Sequence, residues 1–218
     1  MPDSLLKLKV LQYRLKIMKK LDFLRFLAPF LILSCSQSPH RIDASSVTGN
    51  AASTANRSIH ASLLQTIEGS TVAMDDFRGK VLVIANLSIG CATAPQLADL
   101  EQLYQEYRAK GLVVIGFPSD DFAPPGHSTA AEKTATFCRK RYGVTFPLSS
   151  PAHVRGDHQH PIYRQLISNG PAETTGPVSF NLEKFVIDKS GKVRARFGPF
   201  TNVASAEFKE TINLLLSE

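Results

Sequence analysis

Two uninterrupted aliphatic runs set what this chain can fold into. Val81-Leu82-Val83-Ile84-Ala85-Asn86-Leu87 and Leu112-Val113-Val114-Ile115-Gly116-Phe117 lack the polar alternation of a half-exposed strand, which is the pattern of parallel strands covered on both faces. Between them Leu97, Leu100, Leu103, Tyr104 and Tyr107 recur at helical spacing, and Gly111 supplies the stop. Strand, helix and strand in this order form a β-α-β unit, so the chain needs a sheet with helices laid over it.

The flanking segments extend that unit. Ala61 to Ile67 and Thr71 to Ala73, separated by Glu68-Gly69-Ser70, read as a small hairpin. Thr129 stands three residues before Glu132 as a capping box, which predicts a helix from there to about Tyr142, ended by Gly143-Val144-Thr145-Phe146-Pro147. A short helix over Ile162 to Ile167 follows. Strands at Lys184 to Asp188 and Lys192 to Phe197 then enclose a Lys189-Ser190-Gly191 turn, before a last helix from about Ser205 to Leu216. The expected fold class is α/β: a thioredoxin-like sandwich with a central mixed sheet flanked by helices and an N-terminal hairpin, occupying residues 59–218.

Charge is distributed unevenly. The formal net charge is +6, yet residues 1–25 alone hold seven basic side chains (Lys7, Lys9, Arg14, Lys16, Lys19, Lys20, Arg25) against Asp3 and Asp22. The rest of the chain is close to neutral, which argues against a phosphate-backbone footprint and hence against nucleic-acid binding. The basic start leads into Phe26-Leu27-Ala28-Pro29-Phe30-Leu31-Ile32-Leu33-Ser34-Cys35, an apolar run too short to span a bilayer as a mature helix. Residues 1–34 therefore read as an export signal, and Met18-Lys19-Lys20 would make a more conventional start for it than Met1. Ile32-Leu33-Ser34-Cys35 resembles the lipobox of bacterial lipoproteins, which makes Cys35 the expected lipidation site. Residues 35–58 are then a lipidated cysteine and a flexible Ser/Ala/Thr/Asn-rich tether. The expected location is exported and membrane-anchored on the periplasmic side. Ser36 leaves the outer membrane open as the destination, because it is not the Asp that often retains lipoproteins at the inner membrane.

Cys91 is the residue with the clearest chemistry. It lies in the turn between the first aliphatic strand and the amphipathic helix, where helix-terminal N–H groups favour thiolate over thiol. With Cys35 assigned to lipid, Cys91 and Cys138 remain as a potential redox pair in an export compartment. Cys91-Ala92-Thr93-Ala94 lacks the second cysteine of a thioredoxin-type reductase, and no cysteine stands four residues on as a copper chaperone would need. Ile84 and Ser88 occupy the positions where a peroxiredoxin carries Pro and Thr. His153, His158 and His160 with Asp157 have no common metal-ligand spacing and read as loop residues, so neither a metal nor a cofactor is expected.

The order and spacing of several pieces resemble the glutathione peroxidase family over essentially all of residues 59–218. These are Gly79-Lys80-Val81-Leu82, Asn86 five residues before Cys91, Pro95-Gln96, Gly116-Phe117-Pro118, Phe137-Cys138 with Tyr142 to Pro147, His160-Pro161-Ile162-Tyr163, and Phe180-Asn181-Leu182-Glu183-Lys184-Phe185 with Ile187-Asp188 and Gly191-Lys192-Val193. The resemblance implies a peroxidatic role for Cys91. It implies a resolving role for Cys138, as in the branch that uses thioredoxin-like or other thiol reductants. Asn181 matches the family's active-site Asn. Phe180 replaces the Trp, Asp121 stands where the Gln would be, and Ala92 and Ala94 replace a Gly and a Thr. A carboxylate at Asp121 disfavours a neighbouring thiolate unless it is protonated or turned outward.

The implied activity is reduction of hydrogen peroxide or of organic and lipid hydroperoxides through a Cys91 sulfenic acid and a Cys91–Cys138 disulfide. The competing expectation is a non-catalytic or sensory redox module at the membrane surface. Cys138 would share a helical face with Ala131, Ala135 and Tyr142 and be buried when reduced. Thr134 and Thr136 would lower the propensity of the helix that must unwind to release it.

Overall fold

A computed structural model describes residues 58–126 and 130–218. The export signal, Cys35, the tether up to residue 57 and Thr129 with its predicted cap lie outside the described residues. The described part falls within one compact unit, Asn50–Glu218.

The sheet is built around the first aliphatic run. Strand β3 (Val81–Leu87) is buried at every position and pairs in parallel with β4 (Leu112–Pro118). On its other side it pairs antiparallel with β5 (Lys184–Ile187), and β5 pairs antiparallel with β6 (Val193–Phe197). The strand order β4-β3-β5-β6 makes a mixed sheet, and β1 (Leu63–Gln65) with β2 (Thr71–Ala73) form the separate N-terminal hairpin.

Alternate residues of β3 feed two cores, because successive side chains of a strand point to opposite faces. Val81, Val83, Ala85 and Leu87 join Leu97, Leu100, Leu103 and Tyr107 of helix α1 (Gln96–Tyr107), together with Phe208, Ile212 and Leu215 of helix α4 (Ala206–Ser217). Leu82 and Ile84 join Ile162, Tyr163 and Leu166 of the short helix α3 (Pro161–Leu166), with Leu64 and Met74 from the hairpin side. Gly111 ends the α1 region at φ 104°, a left-handed position suited to glycine. Gly116 is required for a different reason: a Cβ there would lie 2.6 Å from a Leu87 methyl and 2.7 Å from a Leu148 methyl. The thioredoxin-like sandwich is therefore the fold of the described residues.

The helix before Cys138 departs from expectation. Helix α2 covers Ala131–Thr136, its N-cap residue is Ala130, and Ala130 makes no side-chain capping bond. From Phe137 to Arg141 the backbone widens into a π-turn. Val144 N–H reaches the Cys138 carbonyl at 3.2 Å and Gly143 N–H the Arg139 carbonyl at 3.1 Å. The described helix is shorter than the stretch to Tyr142 that its sequence suggests, and no sequence pattern marks the wider turn.

Candidate active site

The C-terminal end of β3 carries the site. Gly90, at φ 79°, turns the chain after the strand, and Cys91 opens a tight turn in which Ala94 N–H bonds the Cys91 carbonyl and Gln96 N–H the Thr93 carbonyl. Helix α1 begins only at Gln96. The amides that address the sulfur are thus those of Ala92 and Thr93 in this turn, not the first turn of α1 as sequence spacing suggested.

Cys91 is partly buried and unbonded. Its Sγ lies 3.2 Å from Thr93 Oγ1, and Thr93 Oγ1 accepts a bond from Asn181 Nδ2 at 3.1 Å. Because the amide donates to that oxygen, the hydroxyl hydrogen is free to point at sulfur. Burial pushes the Cys91 thiol up. The Thr93 hydroxyl and amide, the Asn181 amide and the Ala92 amide outweigh it and hold the thiol below its ordinary value. Thr93 escaped sequence reasoning; its signal was a hydroxyl two residues after the cysteine, and its amide partner is 88 positions away.

Asn181 is delivered by a tight turn anchored on Asn86. The buried Asn86 side chain donates to the Phe180 carbonyl at 3.0 Å and accepts from Glu183 N–H at 3.1 Å, while its own carbonyl accepts from Leu182 N–H at 2.9 Å. Leu182, between Asn181 and Glu183, is forced to φ 59°. A left-handed Leu costs about 1–2 kcal/mol, so it persists only where neighbouring bonds hold it.

The Asp121 side chain is largely covered and turned onto the 153–155 loop. Oδ1 lies 2.8 Å from His153 Nδ1, and Oδ2 accepts from Val154 N–H at 2.7 Å and Arg155 N–H at 3.3 Å. Burial alone would raise its pKa, but His153, the Val154 amide and Ser119 bring the carboxyl below its usual range. It is therefore ionised, with its negative charge shared among His153 and the Val154 and Arg155 amides.

Cys138 lies in the π-turn, fully buried in the core cluster that contains Leu97, Val144 and Phe146. Desolvation pushes its thiol up to about 11. Phe180 is 40 % exposed and Phe200 77 % exposed. With Phe122 they form a row of rings whose centroids are 6.1 and 6.0 Å apart.

The protein-family model described as "Glutathione peroxidase" matches residues 59–167. A glutathione peroxidase of Lactococcus lactis is 38 % identical over 152 residues, covering 69 % of this chain and 94 % of the relative. A glutathione peroxidase-like peroxiredoxin of Saccharomyces cerevisiae is 38 % identical over 155 residues, covering 69 % and 91 %. A hydroperoxy fatty acid reductase of Synechocystis is 36 % identical over 152 residues, covering 66 % and 88 %. Among solved structures, T. cruzi GPX1 superposes with a TM-score of 0.57 at 24 % identity, covering 74 % of this chain and 97 % of that one. A thioredoxin-family protein from Chlorobium tepidum, with TM-score 0.54 and 17 % identity over 76 % and 99 %, shares the fold. A mixed sheet that brings Cys91, Thr93 and Asn181 together at one strand end thus coincides with a family match that begins at Ile59, and this chain belongs to the glutathione peroxidase family.

Proposed function

We propose that Cys91 is the peroxidatic residue of a thiol peroxidase acting on hydrogen peroxide or organic hydroperoxides, with Cys138 as its resolving partner. The observation that carries this reading is the Cys91 sulfur held below its ordinary pKa by Thr93 and Asn181 despite partial burial. The thiolate attacks the outer peroxide oxygen, the O–O bond breaks, and the leaving alkoxide takes a proton and departs as alcohol or water. Cys91 becomes a sulfenic acid. A Cys138 thiolate then attacks that sulfur, an S–S bond forms, and the hydroxyl leaves with a proton as water. An external dithiol reduces the bond and returns both thiols. The exposed rings of Phe180 and Phe200 support an apolar substituent on the peroxide. The relative from Synechocystis named for hydroperoxy fatty acids is consistent with that class.

Export and anchoring complete the proposal: cleavage before Cys35, lipid on that residue, and a catalytic body held on the periplasmic side of a membrane. The order of basic, apolar and small residues before Cys35 supports it. Replacing Cys91 by Ser abolishes peroxide consumption on this reading. Residual turnover above that of free thiols would overturn it. Mass spectrometry of the native N-terminus tests the anchor independently, through a diacylglyceryl mass on Cys35.

A further inference from the structure

Glu183 is buried to 2 % exposure, adjacent in sequence to none of the reacting groups and assigned no role in the chemistry above. Its Oε1 accepts three bonds from the turn that carries Asn181: Ser179 N–H at 2.7 Å, the Ser179 hydroxyl, and Phe180 N–H at 3.2 Å. Its Oε2 accepts from Arg196 Nε at 2.7 Å and from the same guanidinium's NH2. Arg196 in turn donates to the carbonyls of Thr174, Thr175, Gly176 and Pro177. The two segments either side of residue 178 are thereby pinned through one ion pair, and Leu182 is held in its left-handed conformation between Glu183 and Asn181. One buried Asn181 atom, Oδ1, has no partner of its own, so that side chain is aimed by its backbone and by what its amide nitrogen meets at Thr93 and Cys91.

We propose that Glu183 is a positioning residue for the peroxidatic sulfur: its carboxylate fixes the 179–182 turn so that the Asn181 amide stays on the Thr93 hydroxyl, which then faces Cys91. Its influence passes through backbone geometry, since the carboxylate is bonded to Ser179, Phe180 and Arg196 and not to the sulfur. The inference rests on the assignment of Cys91 as the reacting thiol, but it concerns that thiol's environment and is tested without turnover.

The experiment follows alkylation of the Cys91-containing peptide by iodoacetamide as a function of pH, read by mass spectrometry on the full chain. Two variants are compared with the unaltered protein. Glu183→Gln keeps the side-chain length but cannot satisfy both the turn amides and the guanidinium. The double variant Glu183→Leu with Arg196→Met removes the whole pair without leaving a buried charge, a replacement that folded proteins tolerate. A shift of the alkylation midpoint upward by about one pH unit, about tenfold less thiolate below it, is expected in both. The double variant is expected to keep a melting temperature near that of the unaltered protein. A folded double variant with an unshifted midpoint overturns the proposal, as does an unshifted midpoint in Glu183→Gln. Failure of the peroxidase reading would show instead as absent peroxide consumption by the unaltered protein, whatever the midpoints are.

Discussion

Two thiols of one chain are held on opposite sides of their ordinary acidity. Cys91 is lowered by a hydroxyl and amides that gather at a strand end, whereas Cys138 is raised to about 11 by desolvation. At about two units above its usual value, Cys138 carries about a hundredfold less thiolate while buried, so it becomes a nucleophile only on leaving the core. Linkage gives this a signature. A thiol whose folded pKa is raised contributes stability that is fully present below its unfolded value near 9 and is lost as pH rises to about 11. That loss amounts to about 2–3 kcal/mol. Under reducing conditions, denaturant titrations of Cys138→Ala should lose correspondingly less between those pH values than the unaltered protein does. At the other sulfur, Thr93→Val removes one hydrogen bond to the thiolate, of about 1–1.5 kcal/mol, and should slow peroxide reduction near pH 7 about five- to tenfold. Recovery of the rate as pH is raised distinguishes lost acidity from lost geometry.

Among the elements, legibility followed the reach of each cause. β3, β4 and α1 could be read directly because hydrophobic burial imprints period and continuity on adjacent residues such as Val81 to Leu87 and Leu97, Leu100 and Leu103. The hairpin was found but paired over fewer residues than its apolar stretch suggested, Leu63–Gln65 against Thr71–Ala73. The role of Thr93, the clamp of Glu183 on the 179–182 turn and the engagement of Asp121 by the 153–155 loop were not legible. Each depends on a partner supplied by a distant segment: Asn181, Arg196 and the 153–155 loop respectively. The wide turn at Phe137–Arg141 left no trace either, since a π-turn has no compositional marker, although such turns are frequent at functional positions. That segment is tied down by Arg139, which donates to Glu68 in the hairpin loop and to the Val144 carbonyl. It also buries a Thr134 hydroxyl without a partner. On the proposed mechanism, disulfide formation with Cys91 would pull the buried Cys138 from this site. Amide hydrogen exchange over residues 131–142 should therefore accelerate in the oxidised protein, and unchanged protection there would exclude this route of resolution.

Taken as a whole, the molecule presents its chemistry at one end. Rings from three distant stretches, Phe122 after β4, Phe180 next to Asn181 and Phe200 after β6, stand in a row beside the turn that carries Asn181. Phe200→Ser should raise KM for a fatty-acid hydroperoxide several-fold through lost apolar burial, about 1.5–3 kcal/mol at most for a fully covered ring. It should leave hydrogen peroxide turnover unchanged. Equal effects on both substrates would remove the ring from the recognition of organic peroxides. No helix among the described residues is long and apolar enough to cross a membrane.

The described chain begins at the opposite pole. Ser58 Oγ donates to the Ser190 carbonyl at 2.8 Å and Ile59 N–H to the Gly191 carbonyl at 3.1 Å, at the turn joining the ends of β5 and β6 remote from Lys184 and Asn181. On the anchoring proposed above, a leash running from Cys35 would pull from behind, and tension in it would load the Ser190–Gly191 corner instead of the Cys91 turn. Its contour, at most about 80 Å, exceeds the roughly 40 Å breadth of a body this size. So anchored, the enzyme would be able to swivel to bring the sulfur against the lipid surface, or to face away from it toward whatever donor restores the thiols.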